Sequence, residues 1–258
     1  MGSPGLAFAT DASAAHSSAP APIVGYESSA TAQHQFWAQL QRLLGDGAKR
    51  WCDVGAGARP VLPISQVQKW GLDYVLLDQS QAELDRAASG YQQFCGSILD
   101  ASAVSELMAR GGAFEVIVSR WTAEHMSDGR RFHESIFSAL APGGTAVHFF
   151  STLYALPFLV NRLLPTALSR AILFRVEDAR STKFPARYDW CRGPSARQIR
   201  RLEGIGYTVQ RYIGYFGHNL YSRVRPLHAA HRALNQVLVE HPVSGLTSFA
   251  LVVLRRPA

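Results

Sequence analysis

Cysteine is scarce in this chain of 258 residues, which holds only Cys52, Cys95 and Cys191. An odd number without repeated spacing excludes a disulfide framework and a metal site built on cysteine pairs. Reduced thiols in a cytoplasmic protein are expected, and no structural metal. A long uninterrupted apolar run is missing as well. The most apolar stretch runs from Leu153 to Pro165 and on to Phe174, but Pro157, Pro165, Arg162 and Arg170 break it below the length of a membrane span. Lys and Arg are absent from residues 1–25, which are rich in Ala, Ser and Pro. Without a basic start or a continuous apolar core these residues do not read as a secretory signal, and a disordered leader is expected there.

From residue 26 onward the length suits one large core, a single domain of soluble composition. Phe36, Leu40, Leu43 and Leu44 recur at helical spacing and predict an amphipathic helix. Strands are then predicted near 50–55, 72–78, 91–95, 114–119 and 145–151. Ser80-Gln81-Ala82-Glu83 reads as a capping box, and Phe132, Ile136, Phe137 and Leu140 as the buried side of a helix ended by Pro142-Gly143-Gly144. Such alternation implies a mostly parallel α/β sheet covered on both faces, with ligands bound outside the carboxyl ends of its strands.

Two strand ends carry the functional signal. Trp51-Cys52-Asp53-Val54-Gly55-Ala56-Gly57-Ala58-Arg59-Pro60 places glycines where the first strand turns over, and Asp78 ends the next apolar run about twenty residues on. The glycines allow backbone to approach a ligand, and Asp78 is placed to receive a ribose diol. A dinucleotide site wants a third glycine where this chain has Pro60.

Asp53-Val54-Gly55-Ala56-Gly57 resembles the first motif of class I S-adenosylmethionine-dependent methyltransferases, in particular the small-molecule branch of the type 11-like kind. Phe114 to Trp121 is similar to the family's fourth strand, Glu124-His125 follows it, and Leu140-Ala141-Pro142-Gly143-Gly144 matches the turn into strand five. The resemblance covers roughly residues 30–152 and returns in a strand pair near 206–216 and 246–255. It implies a Rossmann-like, doubly wound, mostly parallel seven-stranded sheet, with S-adenosylmethionine as cofactor and S-adenosylhomocysteine as product. The implied cofactor shell is Asp53, Gly55, Ala56, Gly57, Arg59, Asp78, Gln79, Ser97, Ile98, Arg120 and Trp121. Arg59 replaces a family glycine. Ser97 stands where many relatives have an acidic residue for the adenine amino group, and Asp100 next to it also fits as the start of a helix.

The apolar segment after strand five is too long for a crossover, so residues 153–192 are expected to form a helical cap that shapes an acceptor pocket or packs on the core. Residues 158–232 carry fourteen Arg and Lys against four Asp and Glu. That field suits an anionic or partly apolar small-molecule acceptor; a lipid-like acceptor and nucleic acid are alternatives, although no binding module for nucleic acid is left once the core is assigned. His125 is the first candidate to activate or orient the acceptor. Tyr188, Asp189 and His218, set among aromatic and basic residues from Lys183 to Arg192 and from Tyr212 to Tyr221, are the opposing polar candidates. Each also has a plain structural reading. Methyl transfer to oxygen, nitrogen or carbon is compatible with these residues, as is binding without turnover, by a monomer or a homodimer.

Overall fold

Tyr74-Val75-Leu76-Leu77 has no polar face, and a strand of that kind is stable only when both its faces are covered. The computed structural model, which describes residues 21–153, 186–218 and 225–258, covers them. Strands β1 (Ile23–Ser28), β2 (Arg50–Val54), β3 (Asp73–Asp78), β4 (Gln92–Cys95), β5 (Phe114–Arg120), β6 (Leu140–Ser151), β7 (Thr208–Phe216) and β8 (Phe249–Arg255) form one sheet in the order β1-β7-β8-β6-β5-β2-β3-β4. All neighbours pair in parallel except β8, which runs antiparallel to β6 and β7.

The pleat sends alternate residues to two apolar layers. On one face Trp51, Tyr74, Leu76, Val116 and Val118 meet Phe36, Leu40, Leu43 and Leu44 of helix α1 (Ser29–Gly45) and Val67 of α2 (Ile64–Trp70). On the other, Cys52, Val54, Val75, Leu77 and Ile117 meet Val104 and Leu107 of α4 (Ala101–Ala109), Phe132 and Ile136 of α5 (Gly129–Ala139) and Leu202 of α6 (Ala196–Glu203). Between β3 and β4 lies the short α3 (Gln81–Leu84), and before β8 lies α7 (Arg225–Glu240). The helix spacing read from Phe36 to Leu44 and the doubly wound, mostly parallel sheet are as expected. At α3 the Ser80 hydroxyl accepts the Glu83 amide at 3.3 Å, the first half of the capping box.

The sheet has eight strands where seven were expected. The additional one is β1, and it takes Ile23–Gly25 from the expected leader. Its partners are residues 211–216, and nothing local announces a pairing across that separation. Residues 1–20 lie outside the described residues, as do 154–185, the larger part of the expected cap, and Tyr221. The described remainder of the cap, Ala186–Arg192, is irregular chain and a turn rather than helix. Strand β6 begins at Leu140, earlier than expected, but its register with β5 breaks between Phe114 and Val116 and resumes at Val116 and Thr145. Among the described residues no helix is long and apolar enough to cross a membrane.

Core and edge should respond differently to truncation. Phe36 is fully buried with its ring 5.4 Å from that of Phe149, so Phe36→Ala should cost about 3–5 kcal/mol of unfolding free energy. Ile23 is 58% exposed on the edge strand, and Ile23→Ala should stay within about 0.5 kcal/mol of the parent. Urea titration of both variants is the measurement.

Candidate functional site

The chain builds β2, β3 and β4 outward in one direction and β5 and β6 in the other, so the sheet's switch point lies between the carboxyl ends of β2 and β5. Open α/β sheets hold their ligands at such a crevice. Gly55 opens it, with φ +72° and its amide donating to Leu77 O at 2.7 Å. A Cβ there would stand 2.3 Å from Cγ2 of Thr122, which reaches over from the end of β5. Gly57, at φ +48°, donates its amide to Asp78 Oδ2 at 3.0 Å. The loop between them is therefore pressed against both neighbouring strand ends, and glycine is required by contact as well as by conformation.

Asp53 shapes the base of that loop. Its buried carboxylate accepts the Val61 amide at 2.6 Å and the Tyr74 hydroxyl at 2.9 Å through the same oxygen. Burial pushes its pKa up to about 6 against the pull of those two donors and of Arg120. The side chain thus lies behind the loop, holding it. Tyr74 in this part was not singled out in the sequence, where it reads only as a strand residue. Ala56 is buried at the turn, and its carbonyl accepts the amide of Arg59, whose side chain is exposed.

Asp78 is half-buried at the end of β3, its Oδ2 on the Gly57 amide and its Oδ1 on the Ser80 amide at 2.9 Å. Burial raises its pKa, and the backbone donors oppose the rise. Gln79 beside it is exposed. Gly96 donates to Asp78 O at 2.9 Å, which brings the end of β4 alongside. There Ser97 caps its own turn, accepting the Leu99 amide at 3.2 Å, and Ile98 is buried. Asp100 is the N-cap of α4, bonded to the Ser102 amide and hydroxyl.

Across the crevice, Trp121 holds φ +58°, an uncommon conformation for a bulky residue, and is 40% exposed. Its ring rests 4.7 Å from Phe149 and 5.3 Å from Phe249, and Arg120 lies 5.8 Å over Trp37. The turn Ala123–His125 follows, with Glu124 buried and His125 half-buried. Glu124 O accepts the amides of Arg187 at 2.8 Å and Tyr188 at 2.9 Å, and Glu124 Oε1 accepts the Ser151 hydroxyl at 2.8 Å. Tyr188 is bonded to Ser151, and burial pushes its phenol up to about 12. The Asp189 carboxylate accepts the Gly129 amide at 2.7 Å at the start of α5.

The structure thus gathers His125, Tyr188 and Asp189 beside β5 and β6, but not His218. That residue follows β7, three strand positions from β5, about 14 Å at ordinary strand spacing. Its ring lies 4.1 Å from that of His231 of α7, tilted by 35°, and burial pulls its pKa down to about 3. Ser119 and His148 are within 2.8 Å, the reach of a nucleophile and its base, but both are buried in the sheet with His133 5.2 Å away, inaccessible to a substrate. A cavity of about 260 Å³ lined by Gly47, Glu115, Gly143 and Arg255 opens at the opposite end of the sheet and holds none of the residues expected to form the cofactor shell. Among the described residues no cluster of His, Cys, Asp and Glu is arranged to hold a metal ion, and all three cysteines are free thiols, Cys95 exposed.

Residues 29–211 match a family described as methyltransferase domain. No curated protein matches the chain in sequence. Among solved structures, an S-adenosylmethionine dependent methyltransferase from Mesorhizobium loti is similar with a TM-score of 0.50 and 18% identity, over 85% of this chain and 97% of that one. A SAM dependent methyltransferase from Archaeoglobus fulgidus is similar with a TM-score of 0.51 and 12% identity, over 87% of this chain and 94% of that one. At these identities the likeness is one of fold.

The buried imidazoles beneath the site set an acid limit. Burial holds His133 at about 3, whereas the unfolded chain charges it near 6.5. Between those values unfolding takes up a proton, so stability falls as pH falls. Asp53 works the other way, because its raised carboxyl takes up a proton on folding between about 4 and 6. His133→Phe should therefore lose less stability than the parent between pH 7 and pH 4, as read from urea midpoints at the two pH values.

Proposed function

The chain belongs to the methyltransferase-domain family, and on that premise we propose that it uses S-adenosylmethionine to methylate a small molecule at the carboxyl edge of its sheet. The observation that carries this reading is the pairing of Gly57 with Asp78. A glycine backbone and a half-buried carboxylate converge at the ends of β2 and β3, beside the point where the strand order reverses. Each Asp78 oxygen uses one lone pair on a backbone amide and keeps capacity for a hydroxyl, which suits a ribose diol. Gly55, Ala56 and Gly57 offer close backbone, Asp53 and Arg59 shape the loop, Gln79, Ser97 and Ile98 border the adenine side, and Arg120 and Trp121 face them across the crevice.

S-adenosylmethionine supplies, when bound, an electrophilic methyl group on a sulfonium. The work left to the protein is alignment and the exclusion of water. Trp121 contributes apolar surface to that end, backed by Phe149 and Phe249. On the acceptor side His125 orients the nucleophile, with Tyr188 opposite it and Asp189 fixing the turn that carries Tyr188 to the start of α5. His218, which follows β7, stands farther along the same edge. The basic excess of residues 158–232 favours an anionic or partly apolar acceptor.

Asp78→Ala should weaken S-adenosylmethionine binding by about 1.5–3 kcal/mol, measured by calorimetric titration of a variant whose circular dichroism matches the parent. Unchanged affinity would sink the ribose contact. Methyl-labelled cofactor offered with a small-molecule extract tests turnover: the expected result is label in a small-molecule product, and label retained on the protein without transfer would mark a binding protein instead.

A further inference from the structure

Glu124 is 3% exposed on the turn that follows β5. A carboxylate in such a place is costly unless its lone pairs are met. Its two oxygens are treated unequally. Oε1 accepts the Ser151 amide at 3.2 Å and the Ser151 hydroxyl at 2.8 Å, whereas Oε2, also buried, meets no donor among the described residues. Ser151 is the last residue of β6. Two residues later the Leu153 amide donates to Cys191 O at 3.2 Å, and the described chain resumes at Ala186, with the Arg187 and Tyr188 amides on the Glu124 carbonyl. Both ends of the expected acceptor cap are thus fastened at Glu124 or beside it. A purely structural tie accounts for Oε1 and for the carbonyl, and leaves Oε2 without a partner.

We infer that Glu124 Oε2 is the atom that receives the acceptor's hydrogen, which makes the acceptor a protic nucleophile, an alcohol, phenol or amine, rather than a carbon nucleophile. The inference rests on the methyl-transfer reading. In the transfer the acceptor's O–H or N–H bond breaks, and its electron pair remains on oxygen or nitrogen. A lone pair of that atom forms the bond to the methyl carbon, the carbon–sulfur pair stays with sulfur, and the proton passes to Oε2. The Ser151 bonds to Oε1 fix the plane of the carboxyl group, and Tyr188, bonded to Ser151, steadies that hydroxyl in turn. Burial raises the Glu124 pKa, opposed by its own amide, by both Ser151 donors and by the neighbouring His125.

The test uses the full chain saturated with S-adenosylhomocysteine and a panel of phenols and primary amines, each set against its O- or N-permethylated counterpart, with binding followed by calorimetry. The expected result is a protic probe bound at least tenfold more tightly than its permethylated form. Glu124→Gln should abolish that preference while S-adenosylhomocysteine affinity stays within twofold. Phenols and amines in separate arms tell the oxygen class from the nitrogen class. Ser151→Ala provides a second readout should Glu124→Gln fail to fold: with a donor to Oε1 removed, the carboxyl holds its proton more tightly, and the pH midpoint of probe binding should move up. Equal binding of protic and permethylated probes by the parent, an intact preference in Glu124→Gln, or an unmoved midpoint in Ser151→Ala overturns the inference. Failure of the parent to bind S-adenosylhomocysteine overturns the cofactor reading instead.

Discussion

A carboxylate sunk beneath the first strand end governs the geometry above it. Asp53 is 1% exposed, and an ionisable group so placed persists only with donors arranged around it. The Val61 amide and the Tyr74 hydroxyl are those donors, one from the chain beyond the glycine loop and one from the neighbouring strand. Their bonds pull the outgoing chain back over the end of β2. The turn this forces puts Gly55 and Gly57 at positive φ, sets Gly55 against Thr122, and aims the Gly57 amide at Asp78. Loop, strand β3 and the start of α3 are thereby joined through two carboxylates.

The edge carries a third carboxylate with the opposite assignment. Asp53 faces donors from the chain beyond its own loop and from the neighbouring strand, Asp78 keeps part of its surface open, and Glu124 is buried with one oxygen bonded and the other not. Burial raises the pKa of all three, yet their partners differ and so do the tasks open to them. Backbone strain is distributed in the same way. The non-glycine residues at positive φ among the described residues are Trp121, Tyr188 and Trp190, all on the segments that surround Glu124. Strain of this sort persists where the surroundings over-determine the conformation, and here the Glu124 carbonyl, Ser151 and the start of α5 supply that constraint.

The family places the chain among methyltransferase domains without naming an acceptor, because the scaffold leaves its carboxyl edge to be furnished by whatever side chains the loops deliver. In this chain the furnishing is aromatic toward β6 and β8, where Trp121, Phe149 and Phe249 pack, and polar toward the Tyr188 turn. The Ser119 and His148 pair shows why contact distance alone is a poor guide. Two groups in hydrogen-bond reach do nothing for a substrate that cannot enter the sheet, and the pair serves the interior.

Local patterns along the chain specify the layered sheet and the two strand ends that border the crevice. Parallel strands buried on both faces must be nearly unbroken apolar runs, and the glycines at 55 and 57, the acid at 78 and the cap at Ser80 act through neighbours a few residues away or at the next strand end. Local pattern could also place Glu124 and His125 beyond β5, but the surface order of that turn favoured the histidine, and only the fold shows which of the two is buried and what it holds. Strand β1, the bond from Tyr74 to Asp53, the meeting of Ser151, Tyr188 and Glu124, and the distance of His218 from them were likewise decided by tertiary structure. Each depends on segments far apart in the chain arriving at adjacent positions of the sheet, and on the direction a side chain takes once packed, neither of which is encoded in spacing along the sequence.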